Sequence, residues 1–442
     1  MSEHAADLGP IAHRERTDAV GWALLAGGGL ALTVLAVHLD ARLGTASAPF
    51  LGRYDVRLGP GSLLAPIVAA GILLLTLRGA FDHWRWSMVQ FFGYAGALAW
   101  ALALALVDGL SGLTKALGSP ESYLGDVRQI GDHPLGYIRH FATDPANHSV
   151  AARGHPPGPV LLLWLLDRAG ITDHVTLGVL ITALAALTVP LVLAGVRDAC
   201  GETAARRYLP VLVLAPYAVW VAVSMDAVVA LLGAAAVVAG VRASRRRERG
   251  WPSLAWALLS GVLIGIAALF SYSAPWLGLS VVCVYFARRR PFLNVATGAG
   301  ALLPVLAAQL AGFGWTDGLL AAEADYTTRI EPYRSALWWA VLSVVALMLA
   351  AGPALFASAR KMRNTPAWPF LVGAGAAVVF SIAAGLARGG VEHAWLPFFP
   401  WLTVAAVAPE HPAGEPVRTP VLLVALGALS AVLIEAIVAT PW

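Results

Sequence analysis

Apolar runs of about twenty residues recur along nearly the whole chain, and they restrict its fold more than any other feature. About twenty helical residues cross the hydrocarbon core of a bilayer, which is about 30 Å thick. The runs lack the polar–apolar alternation of membrane barrel strands, and helices satisfy their own backbone hydrogen bonds in lipid. We therefore predict an all-α fold, a polytopic transmembrane helical bundle of about 13 spans.

The composition agrees with a membrane protein and excludes two other classes. Of the 442 residues, 58% are hydrophobic and 13% are charged, whereas soluble domains carry about 25% charge. The net charge of +4 comes from basic residues in short loops, where membrane topology explains them, so no nucleic-acid partner is predicted. Cys200 borders a basic loop and Cys283 lies within a span, so we expect no disulfide framework or cysteine-based metal site.

The predicted spans follow the apolar runs. They cover residues 20–38, 60–77, 90–108, 174–196, 207–223, 226–241, 252–270, 274–287, 293–313, 337–358, 367–386, 394–408 and 419–440. Basic clusters fall on one side of this arrangement: 197–207, 242–249, 288–290 and 360–363. Because positive loops remain in the cytoplasm, we expect a multi-pass plasma-membrane protein with a cytoplasmic N-terminus. The extracytoplasmic side then receives most acids and histidines, including the long loop of residues 108–173.

The long loop holds acids and histidines that could transfer protons. Asp108 ends the third predicted span, and Asp126, Asp132 and His133 follow it. Carboxylates and imidazoles are the usual general acids and bases of enzymes, so Asp108, Asp126 and Asp132 are the candidate catalytic residues. A divalent cation could use Asp126, Asp132 or His133, although their spacing matches no metal motif. The alternative is a solvated loop in which Asp108 only ends a helix at the interface.

The string Arg153-Gly-His155-Pro156-Pro157 closes the long loop. The two prolines restrict the backbone and present His155 rigidly before a short apolar helix predicted at 157–167, which is expected to lie flat at the interface. The N-terminus of a helix offers free N–H groups to an anion. A histidine and an arginine beside such an end suit a phosphate group, and the alternative is an ordinary helix that begins with proline.

Three further extracytoplasmic segments carry candidates for substrate or phosphate binding. Asp226 lies in a short turn between two spans. In the loop 314–336, Arg329 and Arg334 could clamp a phosphate or a sugar, or the loop is simply solvated.

The third segment begins a span that is broken by proline, and broken helices in membranes usually line cavities. It contributes these candidates: Arg388, Glu392 and His393.

With these residues in view, the chain resembles the GT-C superfamily of polytopic glycosyltransferases. It is most similar to actinobacterial members and to mannosyltransferases that use polyprenyl-phosphate sugars. The resemblance depends on Asp108 at the start of the first large loop, on His155-Pro156-Pro157 at its end, and on the proline-broken segment from Glu392 to Pro400. It covers residues 90–408 in layout and only short strings in sequence. Two departures are the two added spans within 20–77 and the absence of an adjacent acidic pair in the long loop.

The resemblance implies an inverting transfer of a sugar from a polyprenyl phosphate to a hydroxyl acceptor on the extracytoplasmic face. The acceptor would be a cell-envelope glycan or lipid, and membrane lipids would surround the enzyme. Asp108 would deprotonate the acceptor. Cationic groups would stabilise the leaving phosphate: Arg153, His155, Arg329, Arg334 and Arg388.

We accordingly expect residues 1–89 to form a cytoplasmic tail and two additional spans, residues 90–408 the catalytic core, and residues 409–442 the final span. The alternative function is a polytopic transporter or lipid flippase. That function predicts charges buried within spans and two related halves, and the sequence shows few such charges and no halves.

Overall fold

The structure, a computed structural model, describes residues 8–44, 50–143, 145–245, 250–362, 365–386, 388–410 and 418–439. Nearly all regular structure in these ranges is helical, which confirms the predicted all-α class. The exception is an antiparallel pair in which β1 (Arg53–Tyr54) meets β2 (Val438–Ala439). This pair brings the segment before the second span next to the end of the last helix.

The α-helices have the following bounds: α1 (Leu8–His38), α2 (Leu64–Leu77), α3 (Ala80–His83), α4 (Trp86–Ala105), α5 (Ser111–Gly118), α6 (Leu124–Ile130), α7 (Pro134–His140), α8 (Val150–Arg153), α9 (Gly158–Arg168), α10 (His174–Ala186), α11 (Thr188–Cys200), α12 (Glu202–Val213), α13 (Met225–Ala243), α14 (Trp251–Ala268), α15 (Gly278–Ala287), α16 (Leu293–Leu310), α17 (Trp315–Arg329), α18 (Ala336–Ala351), α19 (Ala354–Ala359), α20 (Trp368–Ala383), α21 (Val391–Ala394), α22 (Phe399–Leu402) and α23 (Val421–Ile437). Short 3-10 helices occupy Pro60–Leu63, Leu106–Asp108, Pro145–Asn147, Pro216–Trp220, Ala274–Leu277, Glu331–Tyr333 and Val404–Ala406.

Several helical segments are long and apolar enough to cross a membrane, in agreement with the predicted multi-pass bundle. In the described residues there are seven: His13–His38, Pro60–Leu77, Trp86–Asp108, His174–Cys200, Met225–Ala243, Trp251–Ala268 and Leu293–Leu310. Shorter apolar helices add four: Ala274–Ala287, Ala336–Ala351, Trp368–Ala383 and Val421–Ile437. These segments match every predicted span except two.

The two exceptions, 207–223 and 394–408, are not continuous helices. The first is divided between α12 and a 3-10 helix that begins at Pro216, and the second contains Pro397 and Pro400. Proline lacks the N–H that a helix interior needs and clashes with the preceding turn. Residues 395–408 are almost entirely buried, so their apolar composition reflects packing inside the protein instead of an unbroken crossing.

Helix α13 lies at the centre of the bundle. Of its 18-residue apolar window, 72% is buried, the largest fraction among the candidate spans of the described chain. It packs against α10, α11, α14 and α15. Asp226 is the second residue of this helix, so the bundle itself fixes the position of its carboxylate.

The long loop is folded and has a hydrophobic cluster of its own. Leu113, Val127 and Phe141 are buried in this cluster together with Ile181 of α10 and Met225 of α13. The predicted short helix at 157–167 is present as α9, and its first residue donates a hydrogen bond to the carbonyl oxygen of Leu269 (2.9 Å). The loop helices are therefore packed onto the bundle, and they approach the N-terminal end of α13.

Helices α14 and α16 pack closely through glycines. A β-carbon at Gly300 would overlap the carbonyl oxygen of Leu258, and one at Gly261 would overlap that of Thr297. Gly261 and Gly265 have the spacing that lets membrane helices approach at backbone distance. Packing between these two peripheral helices therefore depends on the absence of side chains at these glycines.

We expect Gly300→Ala to destabilise the protein by about 1–3 kcal/mol because the added methyl group must separate α14 from α16. Gly298→Ala is the matched control in the same helix, since a β-carbon there has no neighbour within 4 Å. Alanine is the better helix former by about 1 kcal/mol, so the control is expected to be neutral or stabilising. Thermal unfolding in detergent measures both, and equal midpoints for the two variants would contradict the close packing.

Candidate functional site

His155, Asp226 and His393 form the polar cluster that we call the central site. His155 lies in the turn between α8 and α9, Asp226 begins α13, and His393 belongs to α21. The Nε2 atom of His155 is 3.7 Å from Oδ1 of Asp226. His393 interacts electrostatically with both of them, and the ring of Tyr123 packs edge-on to His155 at 5.9 Å between centroids. Three distant parts of the sequence thus meet at one end of α13.

The contacts of His155 indicate that it is an imidazolium. Its Nδ1 lies 3.0 Å from the carbonyl oxygen of Ala151, which can only accept, so Nδ1 carries a hydrogen. Its Nε2 faces a carboxylate, which would repel a lone pair. Burial acts to lower the pKa of His155, but the Asp226 carboxylate outweighs it and raises this pKa above its ordinary value. The 3.7 Å separation is longer than a hydrogen bond, so the Nε2–H group has room to bond an incoming anionic oxygen.

His393, which interacts electrostatically with His155, and the adjacent Glu392 differ from His155 in charge. Burial, assisted by the nearby His155 charge, lowers the pKa of His393 to about 4 against the opposing effect of Asp226, so His393 is neutral near pH 7. Glu392 is only 2% exposed. Burial raises its pKa to about 7, opposed in part by the positive charge of Arg334. A carboxyl group that titrates near neutrality suits proton transfer.

Arg153 and Arg329 converge on a residue that the sequence did not single out. The Nε atom of Arg329 lies 3.0 Å from Oδ1 of Asp325, and that of Arg153 lies 3.8 Å from the same oxygen. Asp325 belongs to α17, which therefore packs over α8 just before His155. Both arginines place positive charge next to His155, and the Asp325 carboxylate partly neutralises that charge.

Arg334 and Arg388 hold the backbone that leads to Glu392. Arg388 donates to Glu331 (2.5 Å) and to the carbonyl oxygen of Arg334 (3.0 Å), and its N–H donates to the hydroxyl of Tyr326 (2.8 Å). Arg334 donates in return to the carbonyl oxygen of Arg388. These hydrogen bonds fix the backbone that leads into α21. Both guanidinium groups therefore already donate to acceptors within the protein.

Asp108 lies in a second polar cluster, built around Arg57. Its Oδ2 accepts a 2.6 Å hydrogen bond from Arg57, and its side chain is 27% exposed. Arg57 also donates to the Glu435 carboxylate (3.2 Å) and to the carbonyl oxygen of Val438 (2.6 Å) at the end of α23. The β1–β2 pairing brings Arg57 to this place. None of the contacts found in the described residues joins Asp108 directly to the central site.

The other predicted acids of the long loop are engaged separately. Asp126 is fully buried and bonded to His148 and Ser149, whereas Asp132 is exposed and paired with Arg168. Within the described ranges, no group of three or more histidine, cysteine, aspartate or glutamate side chains could hold a metal ion. The candidate metal ligands Asp126, Asp132 and His133 therefore do not form such a group in the described residues.

An apolar cavity lies within the bundle beside the first turn of α13. Its volume is ≈ 40 Å³. Its walls come from α4, α10, α12 and α13, and include Ala101, Ala185 and Leu212. Ala227 follows Asp226 directly, and the N–H of Leu396 donates to the carbonyl oxygen of His393 (3.0 Å).

Four of the residues predicted from sequence lie together, whereas several partners of the predicted residues were not anticipated. His155, Asp226, Glu392 and His393 were predicted and lie at one end of the bundle. The missed partners are Arg57, Tyr123, His148, Asp325 and Glu435. A glutamate within the last apolar span was the one signal that could have indicated Glu435, because charges in spans need partners.

Comparisons with protein-family models and with curated proteins give no match. Two crystal structures of ArnT from Cupriavidus metallidurans are similar in fold. The apo structure has 17% identity and a TM-score of 0.43 over 61% of this chain and 53% of that one. The structure bound to undecaprenyl phosphate has 17% identity and a TM-score of 0.45 over 70% and 58%. The chain thus matches little more than half the length of ArnT.

Proposed function

We propose that this chain is a multi-pass membrane glycosyltransferase of the GT-C superfamily. It transfers a sugar from a polyprenyl-phosphate donor to a hydroxyl group of a cell-envelope glycan or lipid. The observation that supports this most is the imidazolium of His155, held between Asp226 and a backbone carbonyl at one end of a bundle of apolar helices. A fixed cation at the end of such a bundle suits a substrate that is both lipid and phosphate.

His155 stabilises the departing phosphate. When the bond between the anomeric carbon and the phosphate oxygen breaks, the electron pair remains on that oxygen and negative charge develops there. A preorganised N–H donor at this point is worth about a hundred- to a thousandfold in rate. Asp226 keeps the ring charged and oriented, and Arg153 with Arg329 adds positive potential, moderated by Asp325. Arg334 and Arg388 fix the segment that carries Glu392 and His393.

Asp108 acts as the general base on the acceptor. Arg57 anchors one carboxylate oxygen, and the partial exposure of the side chain leaves it accessible to a hydroxyl group. The acceptor oxygen bonds to the anomeric carbon on the face opposite the phosphate while its proton passes to Asp108, so the configuration inverts. The donor must lie between the two clusters, with its phosphate at His155 and the acceptor on the side of Asp108.

The proposed orientation follows the basic loops. The N-terminus is cytoplasmic, and the long loop, with both polar clusters, is extracytoplasmic. Residues 90–408 form the catalytic unit, preceded by two additional spans and followed by the final span. A transferred mannose is the first sugar to test, because the resemblance in layout is to mannosyltransferases.

The function is tested with purified protein in lipid vesicles. The vesicles contain a panel of radiolabelled hexoses and pentoses linked to polyprenyl phosphate, with cell-envelope glycans and lipids as acceptors. We expect label to move to an acceptor as free polyprenyl phosphate appears. Passage of intact donor across the bilayer without cleavage would instead support the flippase alternative, and no cleavage of any donor would reject the proposal. Addition of EDTA to an active mixture tests the predicted cation directly.

A further inference from the structure

Asp126 and His148 form a buried pair inside the long loop. Asp126 is 0% exposed and the His148 side chain is 7% exposed. Oδ1 of Asp126 lies 3.0 Å from Nδ1 of His148, and Oδ2 accepts the N–H of Ser149 at 3.0 Å. The ring of His148 stacks on Phe141 with 4.5 Å between centroids. Both carboxylate oxygens therefore already have donors from within the loop.

The geometry of this pair requires an extra proton. Nε2 of His148 lies 3.1 Å from the carbonyl oxygen of Phe141, which can only accept. Its Nδ1 faces the carboxylate of Asp126. A neutral imidazole carries one N–H and would leave one of these contacts without a hydrogen. The pair thus holds one proton more than a carboxylate and a neutral ring hold together.

The pair is connected to His155 through two routes. Ser149, fixed by Asp126, caps α8 by accepting the N–H of Ala152 (3.2 Å), and Ala151 in α8 accepts Nδ1 of His155 (3.0 Å). On the other side, the N–H of Asp126 donates to the carbonyl oxygen of Tyr123 (3.1 Å), whose ring packs on His155. Asp126 is thereby linked to the two groups that contact the His155 ring, which are the carbonyl oxygen of Ala151 and the ring of Tyr123.

We propose that Asp126 and His148 are a protonated positioning pair that orients His155 toward Asp226, and that Asp126 is neither the base nor a metal ligand. The inference rests on the proposed function for its activity assay. Its second measurement, the change of stability with pH, does not require the proposed function to be correct. The pair acts through His155 and does not touch the substrate.

Other titratable groups near the pair are neutral or engaged elsewhere. Tyr123 and Tyr137 face Asp126, and burial together with its negative charge raises the pKa of both phenols. Helix α9 contributes Arg168, which is paired with Asp132. On α17, Asp325 is paired with Arg153 and Arg329. His155 and Glu392 are present in wild type and in an Asp126 variant alike, so a difference in pH dependence between the two proteins reports on the Asp126–His148 pair.

Asp126→Asn reverses the proton requirement of the His148 ring. Wild type and variant should therefore respond to a change of pH in opposite directions. The asparagine oxygen can still accept from Ser149, and its NH₂ can donate to Nδ1 of His148 only if that ring is neutral. Both ring contacts of His148 in the folded wild type need an N–H group, so loss of a proton at high pH is expected to weaken them. The folded variant excludes that proton, so its stability is lost as pH falls.

We therefore expect Asp126→Asn to transfer sugar about a hundredfold more slowly than wild type at the acidic end, because small displacements of a catalytic group have effects of that size. The ratio of wild-type to variant rate should fall about tenfold from about pH 5 to about pH 8, where imidazole changes charge. Unfolding midpoints measured over the same range should move in the same direction. Asp167→Asn, at an exposed position in α9, is the matched control and should change neither quantity.

Each alternative gives a different result. Loss of transfer at every pH with unchanged pH dependence of unfolding would identify Asp126 as the base and overturn the proposal. Recovery of the variant by added Mg²⁺ would identify a metal ligand and overturn it as well. If wild type shows no transfer, the proposed function fails, while opposite pH slopes of unfolding in wild type and variant still support the pair. Equal slopes would reject it.

Discussion

Alanine in place of His155 is expected to reduce sugar transfer by about a thousandfold, the upper range for loss of one preorganised donor at developing charge. The substitution removes the only imidazolium of the central site and leaves Asp226 facing the substrate phosphate. The Asp226 carboxylate would then repel the departing oxygen instead of holding a cation against it. Initial rates in vesicles, with donor at saturation, measure the effect on kcat.

His140→Ala is the matched control for this substitution. The Nδ1 of His140 bonds the carbonyl oxygen four residues earlier at 2.9 Å, as His155 does at 3.0 Å, but His140 is exposed at the end of α7. The control should transfer sugar at the wild-type rate. A His155→Ala protein that unfolds at the wild-type temperature and loses less than about tenfold in kcat would remove His155 from the phosphate site.

Membrane helices were predictable because the bilayer imposes a length and an apolar composition that are visible locally. Every span with an unbroken apolar run, from the first to the final helix, corresponds to a helix in the structure. The segments 207–223 and 394–408 were predicted as continuous helices, but both are interrupted, and burial inside the protein requires the same apolar composition as burial in lipid. Only the prolines at 210, 216, 397 and 400 distinguished them, and proline also occurs within helix α16 at Pro304.

The local geometry of two candidate residues was predictable because neighbouring sequence sets it. The two prolines after His155 and the helix start at Asp226 could be interpreted without knowledge of the fold. Arg57 could not be paired with Asp108 in advance, because that contact depends on a strand pairing between β1 and the C-terminal end of the chain. The same applies to Asp126, whose partner His148 lies beyond two intervening helices.

The two polar clusters share one arrangement, an ion pair, but have different proposed roles. In each, one charged group is held by a group of opposite charge: His155 by Asp226, and Asp108 by Arg57. In the proposed reaction, the held cation would remain charged while a phosphate approaches, and the held carboxylate would remain oriented toward an acceptor. Separation of the clusters prevents the acid and the cation from neutralising each other before substrates bind.

Asp108→Asn is expected to reduce transfer by about a hundred- to ten-thousandfold, the range for loss of a general base. Asparagine keeps the size of the side chain, and its oxygen still accepts from Arg57, so the fold at the end of α4 should persist. The donor should bind as before, because its phosphate meets His155 in the other cluster, and the loss should therefore appear in kcat with KM for the donor little changed.

The control for Asp108→Asn is Asp167→Asn, and Arg57→Lys provides a second comparison. Lysine keeps the positive charge beside Asp108, but it lacks the planar set of N–H donors with which Arg57 also binds Glu435 and the end of α23. The Asp108 carboxylate is then present but held less firmly. We expect Arg57→Lys to transfer sugar at a rate between those of wild type and Asp108→Asn. If Asp108→Asn transfers at the wild-type rate, the base lies in the central site instead, and Glu392, whose pKa burial raises to about 7, is the next carboxyl group to substitute.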